Sequence, residues 1–210
     1  RLGRGAARRG GWIGHYSADP VFDGPAKRPC REDGPRHARG VYGRTKLDGA
    51  RALANSGCRH LILRTAWVHG PHGHNFLKTM LRLAAERPTL NVVDDQWGTP
   101  TSAPWIARAT VDIVSRWPAV EQGEVVNVTA LGRTTWHGFA LAVLGEAHAL
   151  GLLPSMPEVR PVTTAEYPTP ARRPAFSVLD GELAERRFGL HRPEWPELVN
   201  QVLARMASQT

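Results

Sequence analysis

A tyrosine and a lysine four residues apart, Tyr42 and Lys46, form the pattern in this sequence with the clearest chemistry. On a helix, side chains at positions i and i+4 lie on one face and within reach of each other. A phenol has a reference pKa of about 10, and a neighbouring ammonium lowers that pKa because it favours the phenolate. The pair is therefore a candidate general acid for a carbonyl oxygen that gains a hydride. The spacing by itself fits an exposed amphipathic pair equally well, so the context of the pair is needed to choose.

The elements that must position this pair follow an alternating pattern. Short apolar runs predict strands, and longer segments with helical periodicity predict helices. Residues 1–9 are rich in arginine, glycine and alanine and fit the end of a helix. Such alternation is typical of βαβ units in a largely parallel sheet and predicts the α/β fold class. The strands are predicted over 12–17, 60–67, 90–93 and 125–128, and the helices over 41–55, 75–87, 102–117, 134–150 and 193–207.

Composition excludes several classes of protein. The 210 residues are 41% hydrophobic and 22% charged, which is typical of a globular chain and not of a disordered one. No apolar run reaches the 18 residues of a membrane span, so no membrane partner is predicted. Two cysteines, Cys30 and Cys58, cannot build a disulfide framework and fit a reducing, cytoplasmic location.

The formal net charge of +8 raises the question of nucleic acid. All the basic residues except Lys27, Lys46 and Lys78 are arginines, and they are scattered without a block of five. We find no groove-reading motif, so an arginine-rich composition explains the charge better. No nucleic-acid partner is predicted, and a nucleic-acid-binding protein stays an alternative that rests on the charge alone.

Several segments, in the same order, resemble one known family. They are residues 41–49, 63–70, 75–80, 94–101 and 167–174. Together they resemble the dTDP-4-dehydrorhamnose reductases, which are extended short-chain dehydrogenases, and the likeness runs from about residue 11 to residue 206. A Tyr-x-x-x-Lys pattern alone would indicate only the wider group.

The resemblance implies a reaction and its catalytic residues. Members of this family reduce the C4 ketone of dTDP-4-dehydro-L-rhamnose with NADPH or NADH and release dTDP-L-rhamnose. By analogy, Tyr42 protonates the C4 oxygen, and Lys46 lowers the pKa of Tyr42 and binds the nicotinamide ribose. Tyr42, Lys46 and Thr65 are the implied cofactor-binding residues.

The resemblance also implies substrate-binding residues, each with a structural alternative. Trp67 matches the tryptophan of the sugar pocket but could be a core tryptophan at a strand end. Asn75 is placed near the nucleotide sugar but could cap a helix. Gln96 and Thr101 would line the substrate lobe or serve as loop hydrogen-bonding groups. Arg173, with its neighbour Arg172, would bind the diphosphate or form a solvated surface pair.

The implied architecture is a partial Rossmann-type parallel sheet with a C-terminal substrate-binding lobe. Residues 1–150 would form the back part of the Rossmann-type domain, interleaved with segments of the substrate lobe. Residues 151–210 would form the C-terminal lobe and its closing helix, with the proline-rich stretch 154–175 as an irregular arm over the surface. The implied partner is a dTDP-sugar substrate, and a homodimer is compatible with the family.

The sequence departs from the family pattern at several points. Ala18 stands at the position of the catalytic Ser or Thr hydroxyl, Pro20 replaces a tyrosine, and Ala50 replaces a glutamate. The dinucleotide-binding fingerprint is absent, since the Gly-x-Gly pattern of residues 3–8 has no preceding strand and ends in arginine. We therefore expect weak or no turnover from this chain alone. The alternative is a non-catalytic nucleotide-sugar-binding or regulatory relative.

Metal chemistry has weak support. His69, His72 and His74 lie in a glycine-rich loop, but zinc needs a fourth ligand and a supporting second shell. No metal site is predicted.

Overall fold

The computed structural model describes residues 2–18, 28–34, 41–117, 123–169 and 173–209, with the side chain of Tyr42 outside that description. Its helices and strands alternate along much of the chain, as the sequence predicted. In chain order they are α1 (Leu2–Arg8), β1 (Trp12–Ala18), α2 (Val41–Ala54), β2 (Arg59–Thr65), β3 (Val68–His69), α3 (Phe76–Glu86), β4 (Thr89–Val93), β5 (Trp97–Gly98), β6 (Thr101–Ser102), α4 (Ala103–Arg116), β7 (Gly123–Asn127), β8 (Thr134–Thr135), α5 (Trp136–Ala149), β9 (Glu158–Val162), α6 (Glu182–Phe188) and α7 (Trp195–Ala207).

The largest sheet is parallel and three-stranded, in the order β1-β2-β7. Six of the seven residues of the central strand, β2, are buried. Side chains alternate between the two faces of a strand. Leu61 and Leu63 therefore pack on one face, whereas Ile62 packs on the other. The parallel α/β fold class is confirmed.

Helix α2 crosses one face of this sheet antiparallel to the strands. Near its C-terminal end, Leu53 packs with Ile62 and Ile13. Towards its N-terminal end, Leu47 packs with Ala66, which directly follows β2. Ala50, where the family has glutamate, is 6% exposed and belongs to the Leu53 cluster. The N-terminus of α2 therefore lies at the carboxyl ends of the strands.

The other face of the sheet is covered mainly by α4 and α6. Leu61, Leu63 and Val126 of the sheet share one buried cluster with Ile113 of α4 and Phe188 of α6. Trp12 and Tyr16 of β1 extend this contact, because Trp12 lies 4.9 Å from Trp117 and the Tyr16 hydroxyl bonds Thr110 over 2.7 Å. With helices on both faces, the sheet has the layered form of Rossmann-like proteins.

A second buried cluster lies beside the sheet and is built mainly by α3, α5 and α7. Phe139 and Leu144 of α5 are fully buried there, together with Leu77 of α3 and Leu203 of α7. Strand β4 adds Leu90 and Val92. This helical body carries the aromatic side chains of the candidate site.

Some details differ from the expectations. The proline-rich stretch 154–175 is not wholly irregular, because β9 pairs in parallel with β4 inside it. β9 tolerates Pro161 because both strands of a two-stranded ladder are edge strands, where a proline need not remove a ladder hydrogen bond. Helix α6 was not predicted. Residues 3–8, by contrast, form part of α1, in agreement with the helix expected there.

In the described ranges, no helix is both long enough and apolar enough to cross a membrane.

Candidate active site

Near their carboxyl ends, β1 and β2 each carry a buried hydroxyl with no hydrogen-bond partner among the described residues, Ser17 on β1 and Thr65 on β2. Thr65 is 7% exposed and pairs directly with Ala18 of β1. Paired residues on neighbouring strands point to the same face, whereas Ser17 points to the opposite one. Ligands of open parallel sheets bind outside the carboxyl ends of the strands. The Thr65 hydroxyl is therefore a candidate ligand-binding group beside the methyl group of Ala18.

Lys46 lies on α2 close to His15 of β1. The pKa of His15 is lowered first by burial and then by the positive charge of Lys46. The backbone of Tyr42 belongs to α2, one turn nearer the N-terminus of the helix. Four helical residues rise about 6 Å, roughly the length of two strand residues. Because α2 runs antiparallel to β1, the backbone of Tyr42 lies near the level of Ser17, at the carboxyl edge.

Trp67 follows β2 and has a backbone conformation that is rare for a bulky residue. Its φ is 46°, and it is the one non-glycine residue with positive φ in the described part of the chain. Such strain costs about 1–3 kcal/mol and tends to mark functional sites. The indole packs against both the buried cluster that includes Leu47 of α2 and the α3–α5–α7 cluster. Trp67 therefore connects the helix of the Tyr/Lys pair to the helical body.

Trp136, the first residue of α5, joins three of the predicted substrate residues. Its ring stacks on Trp67 with centroids 3.5 Å apart and planes 5° apart. Its indole N–H donates to Oε1 of Gln96 over 3.2 Å. The guanidinium of Arg173 lies over the ring, 5.5 Å from its centroid. Trp67, Gln96 and Arg173 thus meet around one side chain that the sequence analysis did not single out.

Gln96 also bonds residues outside this cluster. It is 6% exposed, and its side-chain amide also donates to the Thr164 hydroxyl over 2.9 Å. That hydroxyl in turn donates to Asp95 over 2.5 Å. Both ends of the Gln96 amide are therefore used within the protein, so the residue is suited to fixing Trp136.

Asn75 and Thr101 are also occupied by internal contacts. The Asn75 side chain caps α3, accepting from the Lys78 N–H over 3.1 Å and donating to the Gly70 carbonyl over 2.9 Å. Thr101 is fully buried, and its hydroxyl donates to the Thr99 carbonyl over 3.1 Å. Its N–H donates to the Trp67 carbonyl over 3.3 Å, which supports the strained turn. Arg172 and Pro20 lie outside the described residues.

The three loop histidines are not brought together. His69 is 1% exposed and packs on Phe139, whereas His72 and His74 are exposed. Over the described ranges, no group of three or more potential ligands is placed to hold a metal ion.

Sequence reasoning missed Trp136 because its signal is tertiary. A tryptophan after a helix-capping threonine predicts only the start of a helix, and Thr135 does cap α5 by accepting from the Gly138 N–H. The stacking partner lies across the fold and far away in the sequence.

Comparison with known proteins adds a family to this geometry. The family described as the RmlD substrate binding domain matches residues 1–208. The dTDP-4-dehydrorhamnose reductase of Salmonella typhimurium is 41% identical over 212 residues, covering 100% of this chain and 70% of that protein.

Solved structures of similar proteins agree. The structure of a dTDP-4-dehydrorhamnose reductase from Clostridium acetobutylicum matches 98% of this chain and 69% of its own, with 34% identity and a TM-score of 0.88. That of Bacillus anthracis dTDP-4-dehydrorhamnose reductase in complex with NADP matches 97% of this chain and 69% of its own, with 27% identity and a TM-score of 0.86.

Proposed function

Since this chain belongs to the RmlD substrate-binding family, we propose that it acts as a dTDP-4-dehydrorhamnose reductase. It reduces the C4 ketone of dTDP-4-dehydro-L-rhamnose with NADPH or NADH and forms dTDP-L-rhamnose. The observation that carries the proposal is the meeting of three features: the N-terminal half of α2, the carboxyl end of β2, and the strained, stacked Trp67.

The proton comes from the α2 pair. Tyr42 donates its phenolic proton to the C4 oxygen, which gains negative charge as the ketone is reduced. Lys46 stabilises the phenolate that remains, because an ammonium within a few ångströms favours the charged form. The influence of Lys46 on the pKa of His15 supports a positive potential at this part of the sheet.

The carboxyl edge of the sheet fits the nicotinamide end of the cofactor. The buried hydroxyls of Ser17 and Thr65 have no hydrogen-bond partner among the described residues, and such groups are the kind that a bound amide or ribose satisfies. Thr65 and Lys46 would hold this end together with Tyr42. A reduced nicotinamide cofactor supplies the hydride when bound. The Bacillus anthracis relative in complex with NADP supports NADPH as the first cofactor to test.

The substrate meets the aromatic cluster. Trp67 offers an apolar edge to the deoxyhexose, and Arg173 offers forked donors to the diphosphate. Gln96, Asn75 and Thr101 act on the pocket through the side chains and loops that they hold. The partner is thus a dTDP-sugar. The proposal places the enzyme in the cytoplasm and includes a homodimer, which sedimentation of the purified protein tests.

The division into two regions remains part of the proposal. The sheet-bearing region up to residue 150 would carry the cofactor and catalytic groups, and residues 151–210 would complete the substrate lobe. The contact of Arg173 with Trp136 supports a contribution of the second region to the pocket.

The decisive experiment follows NADPH absorbance with dTDP-4-dehydro-L-rhamnose as substrate. We expect slow oxidation that depends on the ketosugar, because Ala18 offers no hydroxyl, and we expect Tyr42→Phe to remove it. In parallel, calorimetry measures the binding of dTDP-L-rhamnose. Binding without any ketosugar-dependent oxidation would replace the proposal with a non-catalytic nucleotide-sugar-binding protein, and loss of both would remove it.

A further inference from the structure

Trp136 contacts three residues that the proposed function places in the substrate pocket or in its support, namely Trp67, Gln96 and Arg173. We infer that Trp136 is a positioning residue that sets the sugar-binding and diphosphate-binding side chains relative to each other. The inference rests on the proposed function, and it deepens that function by naming the side chain that couples the two ends of the substrate site.

The position of Trp67 requires external support. Its positive φ is unfavourable for a bulky side chain, so the local backbone does not favour this conformation by itself. Part of the support comes from Gly98, since a Cβ there would overlap the Trp67 indole. The rest comes from the nearly parallel stack with Trp136, which fixes the plane of the ring.

Trp136 is itself held in place from several sides. Thr135 caps the first turn of α5 and donates its hydroxyl to Asp94 over 2.5 Å, so the start of the helix is anchored. Phe76 packs against the Trp136 ring at 4.7 Å. Gln96 accepts from the indole N–H and is fixed in turn by Thr164. A ring with these contacts can transmit its orientation to its neighbours.

Arg173 depends on Trp136 in a different way. Its side chain is exposed, and the Trp136 ring is its one recorded side-chain contact among the described residues. A guanidinium over an indole face is attracted by the ring quadrupole, and the effect corresponds to about two- to thirtyfold in an equilibrium constant. The ring therefore holds the guanidinium of this exposed side chain where the diphosphate of the substrate would arrive.

The inference has a thermodynamic consequence that simple packing lacks. If Trp136 acts on the diphosphate only through Arg173, then removing both side chains should weaken the binding of dTDP no more than removing Arg173 alone. If Trp136 only stabilises the fold, removing it should weaken the binding of all ligands by the same factor. The loss of binding free energy should then add to the loss caused by removing Arg173.

The test is calorimetric titration of the full chain with dTDP-L-rhamnose and with dTDP. The variants are Trp136→Leu, Trp136→Phe, Arg173→Ala and the Trp136→Leu/Arg173→Ala double variant. Trp97→Leu is the matched control, because Trp97 is a half-exposed tryptophan beside Gln96 that contacts Arg133 outside the stack. Circular dichroism and thermal melting of each variant establish that it is folded.

We expect Trp136→Leu to weaken the binding of dTDP-L-rhamnose at least tenfold and the binding of dTDP about fivefold. The double variant should bind dTDP like Arg173→Ala. Trp136→Phe keeps an aromatic face but loses the hydrogen bond to Gln96, so its affinities should fall less than those of Trp136→Leu. If the leucine variant does not fold, the phenylalanine variant provides the test. In turnover, KM for the ketosugar should rise while kcat changes little.

Additive losses in the double variant, or unchanged affinities in Trp136→Leu, would overturn the inference and leave the proposed function standing. A wild-type chain that binds neither dTDP-L-rhamnose nor dTDP would overturn both.

Discussion

At the residue scale, position 18 is where this chain lacks a hydroxyl that the family resemblance assigns to catalysis. A hydroxyl donor aimed at the developing oxyanion is typically worth two to three orders of magnitude in kcat. Ala18 supplies a methyl group there, at the last position of β1. The neighbouring hydroxyl of Thr65 lies across the ladder, buried and without a hydrogen-bond partner in the described part of the chain. The site therefore keeps a hydroxyl on the same face of the sheet, one strand away.

We predict that Ala18→Thr raises kcat for the ketosugar at least tenfold, because it adds a donor at the carboxyl edge. Steady-state NADPH oxidation measures the effect. Ala18→Val is the matched control, since valine has nearly the shape of threonine and no hydroxyl. Equal rates for the threonine and valine variants would show that shape, and not hydrogen bonding, controls this position.

At the element scale, α3 shows how one side chain can settle between two roles. The resemblance places Asn75 near the nucleotide sugar, while its type and position also fit a helix cap. The observed bonds to the Lys78 N–H and the Gly70 carbonyl use both ends of its amide. Asn75 thus joins α3 to the loop that follows β3.

We predict that Asn75→Ala lowers the free energy of unfolding by about 1 kcal/mol, the usual value of a lost cap. Asn75→Asp keeps the capping oxygen and loses the donation to Gly70, so it should retain most of the stability. Urea unfolding measures both variants. If Asn75→Ala instead left stability unchanged and abolished the binding of dTDP-L-rhamnose, the direct substrate role would be correct.

The connection between β4 and β9 is a second lesson at the element scale. The proline-rich stretch predicted as an arm contains a strand. Each strand of a two-stranded ladder is hydrogen-bonded on one side only, so Pro161 can occupy β9. Proline content excludes a central strand and does not exclude this one.

At the scale of the whole molecule, His69 links elements that are distant in the sequence. It lies in β3, packs its ring on Phe139 of α5, and lies near the backbone of Leu198 in α7. Burial lowers the pKa of His69 to about 4, against the opposing effect of the nearby backbone groups of Trp67 and Leu198. The folded protein therefore keeps this ring neutral between about pH 4 and 6.5, where the unfolded chain protonates it.

The consequence is a dependence of stability on acid. Because the unfolded state binds more protons in this range, the free energy of unfolding falls as the pH drops from 6.5 towards 4. The loss attributable to His69 is on the order of 3 kcal/mol at pH 4. Urea unfolding at pH 7, 5.5 and 4.5 measures it. His69→Gln should flatten the slope whatever its absolute stability, and an unchanged slope would contradict the assignment.

Local patterns explain what could be predicted. The alternation of strands and helices and the placement of Tyr42 and Lys46 on one helix follow from local patterns, namely short apolar runs for strands and a periodicity of 3.6 residues for helices. The segments of family resemblance predicted the family itself, and the matched family and relatives confirm it.

The sequence by itself determined the α/β class, the family and the helix of the Tyr/Lys pair, since each depends on neighbours within a few residues or on the order of short motifs. Only the tertiary structure decided that Trp67 stacks on Trp136, that Gln96 accepts a hydrogen bond from the Trp136 indole, and that Thr65 lies beside Ala18. These contacts join residues far apart in the chain. They depend on strand register and on the packing of one layer against another, which no local pattern encodes.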